Sequence, residues 1–168
     1  MSGKTIDKAV LIKAALALFD EAYADPKPGA SWFSDGGQGT GFLGTLEGLS
    51  AAEASRPLSQ GDSLSLASHV DHLRFSLSLA NRASKGENPY KDANWARSWD
   101  ARGVDEKTWK SLVAALRSEY EAYRTVIASE GIWDDGDSLT GNLGLIVHGA
   151  WHLGAIRQGL GLVKAPKA

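Results

Sequence analysis

Four histidines, His69, His72, His148 and His152, are the residues of this chain best suited to chemistry. Imidazole changes charge near neutral pH and is the commonest protein ligand for first-row metals. His148 and His152 lie four positions apart in HGAWHLGAIRQ. On a helix that spacing puts them about 40° apart on one face, with Cβ atoms roughly 5–6 Å from each other. Two imidazoles so placed can chelate one ion. Their neighbours along that face, Gly141, Leu145, Ala155 and Gly159, are mostly small, so there is room where a core face would carry Leu or Ile. His69 and His72, three apart in SLSLASHVDHLRF, share a polar strip with Ser65, Ser68 and Ser76 beside an apolar stripe of Leu66, Val70, Leu73, Leu77 and Ala80. All four histidines therefore fall on two helix faces that a bundle can bring together. Three imidazoles with open coordination positions suit zinc, with nickel, iron and manganese as the other options. His69 reads as a polar neighbour satisfied by hydrogen bonding rather than as a ligand.

Other chemistries find little support. The metalloprotease pattern H-E-x-x-H is broken by Gly149. The chain has no cysteine, which removes thiolate nucleophiles, disulfides and Cys-based zinc sites and suits a reducing cytoplasm. No G-x-S-x-G elbow is present. SDGGQGTG (34–41) has neither the lysine nor the preceding strand of a phosphate loop and reads as a flexible loop rimming a pocket. DDGDS (134–138) lacks the closing glutamate of a calcium loop and reads as a helix cap. Asp71, adjacent to His72, points about 100° away from it. Trp95, Trp99, Trp133 and Trp151 are candidates for a substrate pocket or a subunit interface, and Trp109 for the core.

Helices must position these residues. Apolar residues recur every three or four positions from Ile6 to Tyr23, and Pro26 and Pro28 close that helix. A long loop (25–40) leads to a short helical piece at FLGTLEGL, and Ser50 with Glu53 forms a capping box for another. A second long helix is expected from Asp62 or Ser63 to about Gly86, a third from an Asp105 cap to Gly131, and a fourth from about Leu139 to Gly159, preceded by the acidic WDDGD. No segment alternates β-branched and polar residues as a strand does. The expected fold is an all-α four-helix bundle with long irregular loops, a single domain over residues 1–168. A net charge of -2 speaks against nucleic acid as a partner. Charges at Asp7, Lys8 and Lys13 break the N-terminal apolar run, so neither a signal peptide nor a membrane span is expected.

At the histidines the chain resembles the DinB/YfiT-like superfamily, helical metal-dependent enzymes distinct from the DNA polymerase that shares the name. SLSLASHVDHLRF is similar to the second-helix motif, HGAWHLGAIRQ to the fourth-helix H-x-x-x-H-x-G motif, and FLGTLEGLSAAEASRPL has the family's order of elements. Two positions depart from the pattern: Ala155 stands where many relatives have Gln, with Gln158 three residues on, and Phe33 follows Trp32 where some carry His. The resemblance implies a homodimeric bundle with a divalent ion held by His72, in preference to His69, and by His148 and His152. Members of the family include transferases and isomerases that use low-molecular-weight thiols such as bacillithiol or mycothiol, and others described as hydrolases. The chain is then a cytoplasmic metal-dependent enzyme that activates a thiol or water toward a small-molecule substrate. The alternative is a bundle that binds a metal or small ligand without turnover. It draws on the lack of an Asp or Glu assignable as general base.

Overall fold

The computed structural model describes residues 6–61 and 63–164. It is all-helical, with helices α1 (Lys8–Tyr23), α2 (Phe42–Leu46), α3 (Ala51–Ala54), α4 (Leu66–Ala83), α5 (Glu106–Ile127) and α6 (Gly136–Val163). Short 3-10 turns cover Arg97–Trp99 and Glu130–Trp133. Among the described residues the only β pairing is a single bridge between Pro57 and Ser65. The main packing among the long helices is of α4 on α5 and α6, and of α1 on α5 and α6. The expected stripe of α4, Leu66, Val70, Leu73 and Leu77, is completely buried between them. Full burial of one such side chain is worth about 1.5–3 kcal/mol.

Polar caps fix where the helices begin. The side chains of Asp7, Ser65, Asp105 and Asp135 accept from the backbone N–H of Ala9, Ser68, Thr108 and Ser138, satisfying donors that the first turn leaves free. The Ser50–Glu53 capping box forms as expected. Helix α4 starts later than the sequence suggests: Ser63 lies outside it and Asp62 lies outside the described residues. Ser65 is held extended by its bridge to Pro57, and its hydroxyl donates to Ala101 O at 3.0 Å, so the helix cannot begin before it. Helix α4 also stops at Ala83, short of Gly86. Helix α5 ends at Ile127 rather than Gly131, where the Trp133 indole donates to the Ile127 carbonyl. Helix α6 runs past both expected ends, beginning after the Asp135 cap and passing through Gly159.

Glycine at 149 and 159 serves close packing. A Cβ on Gly159 would lie 2.7 Å from Leu58 O, and one on Gly149 would lie 2.5 Å from Cε2 of Tyr23. The Tyr23 ring cannot retreat, because it is fully buried and packed on Phe19 at 4.8 Å and Tyr120 at 5.8 Å between centroids. The same contact bars the glutamate of H-E-x-x-H from position 149. Gly149→Ala is expected to destabilise the protein by ~1–3 kcal/mol through overpacking, despite alanine's better helix propensity. The urea midpoint should fall, whereas a rise would mean that propensity outweighs the Tyr23 contact.

Candidate metal centre

Helix α4 contributes His72 and α6 contributes His148 and His152 to one cluster. His148 Nε2 lies 3.2 Å from His72 Nε2 and 3.0 Å from His152 Nε2. One nitrogen from each of the three falls within 4.8 Å of the others, so the group could hold a metal ion. Nitrogens bound tetrahedrally at ~2.0–2.1 Å are separated by roughly 3.3–3.4 Å, close to the two short separations seen. His152 is 1% exposed, His72 is buried and His148 is half-buried, leaving one side of the cluster open.

The other ring nitrogens are tied down. Ser98 Oγ donates to Trp95 O at 2.7 Å, which uses its single proton, so at 2.8 Å it must accept from His72 Nδ1. A neutral His72 therefore carries its proton on Nδ1 and turns the Nε2 lone pair into the cluster. His152 Nδ1 lies 2.9 Å from His69 Nδ1, and His148 Nδ1 lies 3.5 Å from Ser76 Oγ. His69 is thus the hydrogen-bonded neighbour expected from the sequence. Trp99 stacks on His72 with centroids 3.9 Å apart, restraining the ring. Burial, reinforced by His148 and His69, lowers the His72 pKa to about 4. Burial followed by the other three imidazoles lowers that of His152 to about 2, and burial lowers that of His148. All three rings are neutral at neutral pH, and their converging lone pairs repel unless a proton or a cation lies between them.

The remaining sequence candidates separate clearly. Gly141 and Leu145 line the open space beside His148, whereas Gly159 is taken up by Leu58. Asp71 pairs with Arg74 and does not enter the cluster. Trp95 lines the same space, Trp133 and Trp109 are buried, and Trp151 is 62% exposed with its ring nearly perpendicular to that of His152. Gln158 is exposed and does not line that space, so it does not replace a glutamine at 155. The glycine loop 34–41 does not border the histidines either. Its amides face the chain's own carboxylates: Asp25 accepts from Gly39 and Gly41, and Glu21 accepts from Ser34. A phosphate would find those donors occupied.

Two residues escaped the sequence reading. Ser98, in a stretch without helical periodicity, orients His72. Glu21, fully buried on α1, gathers the backbone N–H groups of Trp32, Phe33 and Ser34. A carboxylate among the buried positions Phe19, Ala22 and Tyr23 is the signal that could have flagged it. Comparisons with family models, curated proteins and solved structures return no match to this chain.

Proposed function

We propose that the chain is a divalent-metal-dependent enzyme with a DinB-like four-helix-bundle architecture and His72, His148 and His152 as ligands. The observation that carries the reading is the convergence of three Nε2 atoms whose rings are held from behind by Ser98, His69 and Ser76. Protein metal sites commonly fix imidazole ligands through the opposite nitrogen in this way. The closed circuit of contacts among α1, α4, α5 and α6 supports the bundle. Zinc is the favoured ion; bound there, it would supply Lewis acidity that lowers the pKa of a water or thiol and makes it nucleophilic at neutral pH. The histidines orient that nucleophile, and the open side of the cluster admits a small-molecule substrate. A homodimer belongs to the same reading, because Leu143, Val147, Trp151 and Leu162 leave an apolar stripe of α6 exposed among the described residues. No described helix is long and apolar enough to cross a membrane.

One observation favours a metal-binding bundle without turnover. Asp137 is the only carboxylate among the described residues bordering the open space, and it lies eleven positions before His148, about 16 Å along α6. No carboxylate is therefore placed there as a nearby general base.

Metal content per chain, measured on tag-free protein after reconstitution with zinc, nickel or manganese, tests the reading. About one ion per chain is expected, and none with any of the three metals would refute it. His69→Ala should weaken zinc binding ~10–100-fold, by freeing Nδ1 of His152 and loosening its ring. Competition against a chromogenic chelator reads this directly; an unchanged affinity would reduce His69 to a packing role.

A further inference from the structure

Beside His72 and His148 a groove of ≈ 810 Å³ opens between α4 and α6. Its bed is made of small side chains, Ala80 and Ala83 from α4 and Gly141 and Gly144 from α6. Tyr90 and Trp95 stand along it, with Val126 and Ile132 also lining it. The groove follows α6 back to Asp137 and Ser138, about 16 Å from His148 at the helical rise.

Several polar side chains along it are engaged elsewhere: Ser84 Oγ donates to Asn81 O and Ser138 Oγ to Asp135. Asn142 is already committed, donating to the carbonyls of Ile132 and Ser138 and accepting from the Tyr123 hydroxyl. No Lys or Arg lines the groove among the described residues, and Asp137 is its one formally charged group. Anions of small molecules are usually met by Arg or Lys. A carboxylate or phosphate at the far end would meet Asp137 with no Lys or Arg beside it, at a helix start whose Ser138 N–H is already taken by the Asp135 cap, whereas an amine would meet Asp137.

We propose that the groove takes an elongated, mainly apolar small molecule whose donor atom meets the histidines and whose far end is neutral or cationic. The proposal rests on the metal-centre reading and narrows it: a thiol co-substrate entering here carries no carboxylate at its distal end.

Hydroxamic acids separate the two ideas, because the hydroxamate binds a metal whatever its tail. Zinc-loaded protein of measured metal content is titrated calorimetrically with acetohydroxamic acid, octanohydroxamic acid and the ω-amino and ω-carboxy analogues of the latter. The octano chain should bind at least about tenfold tighter than acetohydroxamate through buried methylenes. The ω-amine should keep that gain and the ω-carboxylate should lose it. Asp137→Asn should narrow the gap between the charged analogues. A side chain at Gly141 meets open space, so Gly141→Leu should abolish the chain-length gain while acetohydroxamate affinity and zinc content stay constant. Equal binding of acetohydroxamate and octanohydroxamate to fully loaded protein overturns the groove proposal and leaves the metal centre standing. A preference for the ω-carboxylate overturns its charge selectivity. Failure to load zinc, nickel or manganese refutes the metal centre itself, and this proposal with it.

Discussion

Replacing His148 and His152 together by alanine is expected to abolish metal binding and to leave the helix content unchanged. These residues supply two of the three converging Nε2 atoms, and His72 alone, a single imidazole, cannot retain an ion against a competing chelator. Occupancy should fall from about one ion per chain to near zero, a larger effect than the ~10–100-fold typical of partners behind a ligand. The fold should tolerate the change, because alanine is the best helix former and the buried core around Leu153 and Ile156 is untouched. Elemental analysis on tag-free protein, paired with far-UV circular dichroism, provides the check. Full occupancy in the double variant would overturn the ligand assignment. Loss of helix content together with the ion would mean that the histidines are chiefly structural.

That experiment also bears on the choice between catalyst and passive binder. A bound ion lost in the variant establishes the site, and a panel of thiol-transfer and hydrolysis substrates run on both proteins then separates the two. Turnover present only in the metal-loaded wild type supports the enzyme. A tightly bound ion with no turnover across the panel supports the binding bundle favoured by the distance of Asp137.

The parts legible in the sequence are those governed by local periodicity. The i, i+4 histidine pair and the small-residue face around Gly141 and Leu145 follow from the 3.6-residue repeat alone; the structure joins the pair in one cluster and puts His148, Gly141 and Leu145 beside one open space. The caps at Ser50 and Asp105 were equally visible, because a cap depends on residues three apart. Helix ends set by distant contacts were not. Gly159 looks like a stop signal, yet α6 continues because its missing side chain admits Leu58, more than 100 residues away in sequence. Ser65 starts α4 because Pro57 and Ala101 hold it, and neither is apparent from the helix itself. The orientation of His72 by Ser98 likewise depends on a loop folding back onto α4. Nothing periodic marks such a residue.

Glu21→Gln should be the most damaging single change away from the histidines. The carboxylate is fully buried and accepts from Ser31 Oγ at 2.8 Å, Trp32 N at 2.8 and 2.9 Å, Phe33 N at 2.9 Å, and Ser34 N and Oγ at 2.8 and 2.9 Å. Burial alone would raise its pKa. The hydrogen bonds from Phe33, Ser34, Ser31 and Trp32 outweigh it and hold the group down to about 2, against an ordinary 4.5. A carboxyl with a depressed folded pKa stabilises the fold fully above its unfolded pKa and loses that contribution as pH falls through the folded value. At 1.36 kcal/mol per pH unit, Glu21 contributes roughly 3 kcal/mol at neutral pH, fading between about pH 4.5 and 2. Glutamine keeps an oxygen for the donors gathered at Oε1 but sets an NH₂ against the Trp32 N–H at the Oε2 position and removes the charge that strengthens every one of these bonds, so the variant should lose on the order of 3 kcal/mol at pH 7. Urea unfolding of metal-free protein at pH 7, 5 and 3 tests both points. The gap between wild type and variant should be widest at pH 7 and shrink at pH 3, and a gap constant across the series would mean that Glu21 acts through packing rather than charge. Arg157 of α6 donates to Ser34 O at 2.8 Å, tying the gathered loop to the helix that carries His148 and His152. Zinc loading should raise the stability of wild type and E21Q alike if the contact leaves the site intact, since an ion that binds only the folded chain stabilises it by mass action; a smaller gain in E21Q would mean that the loop supports the histidines.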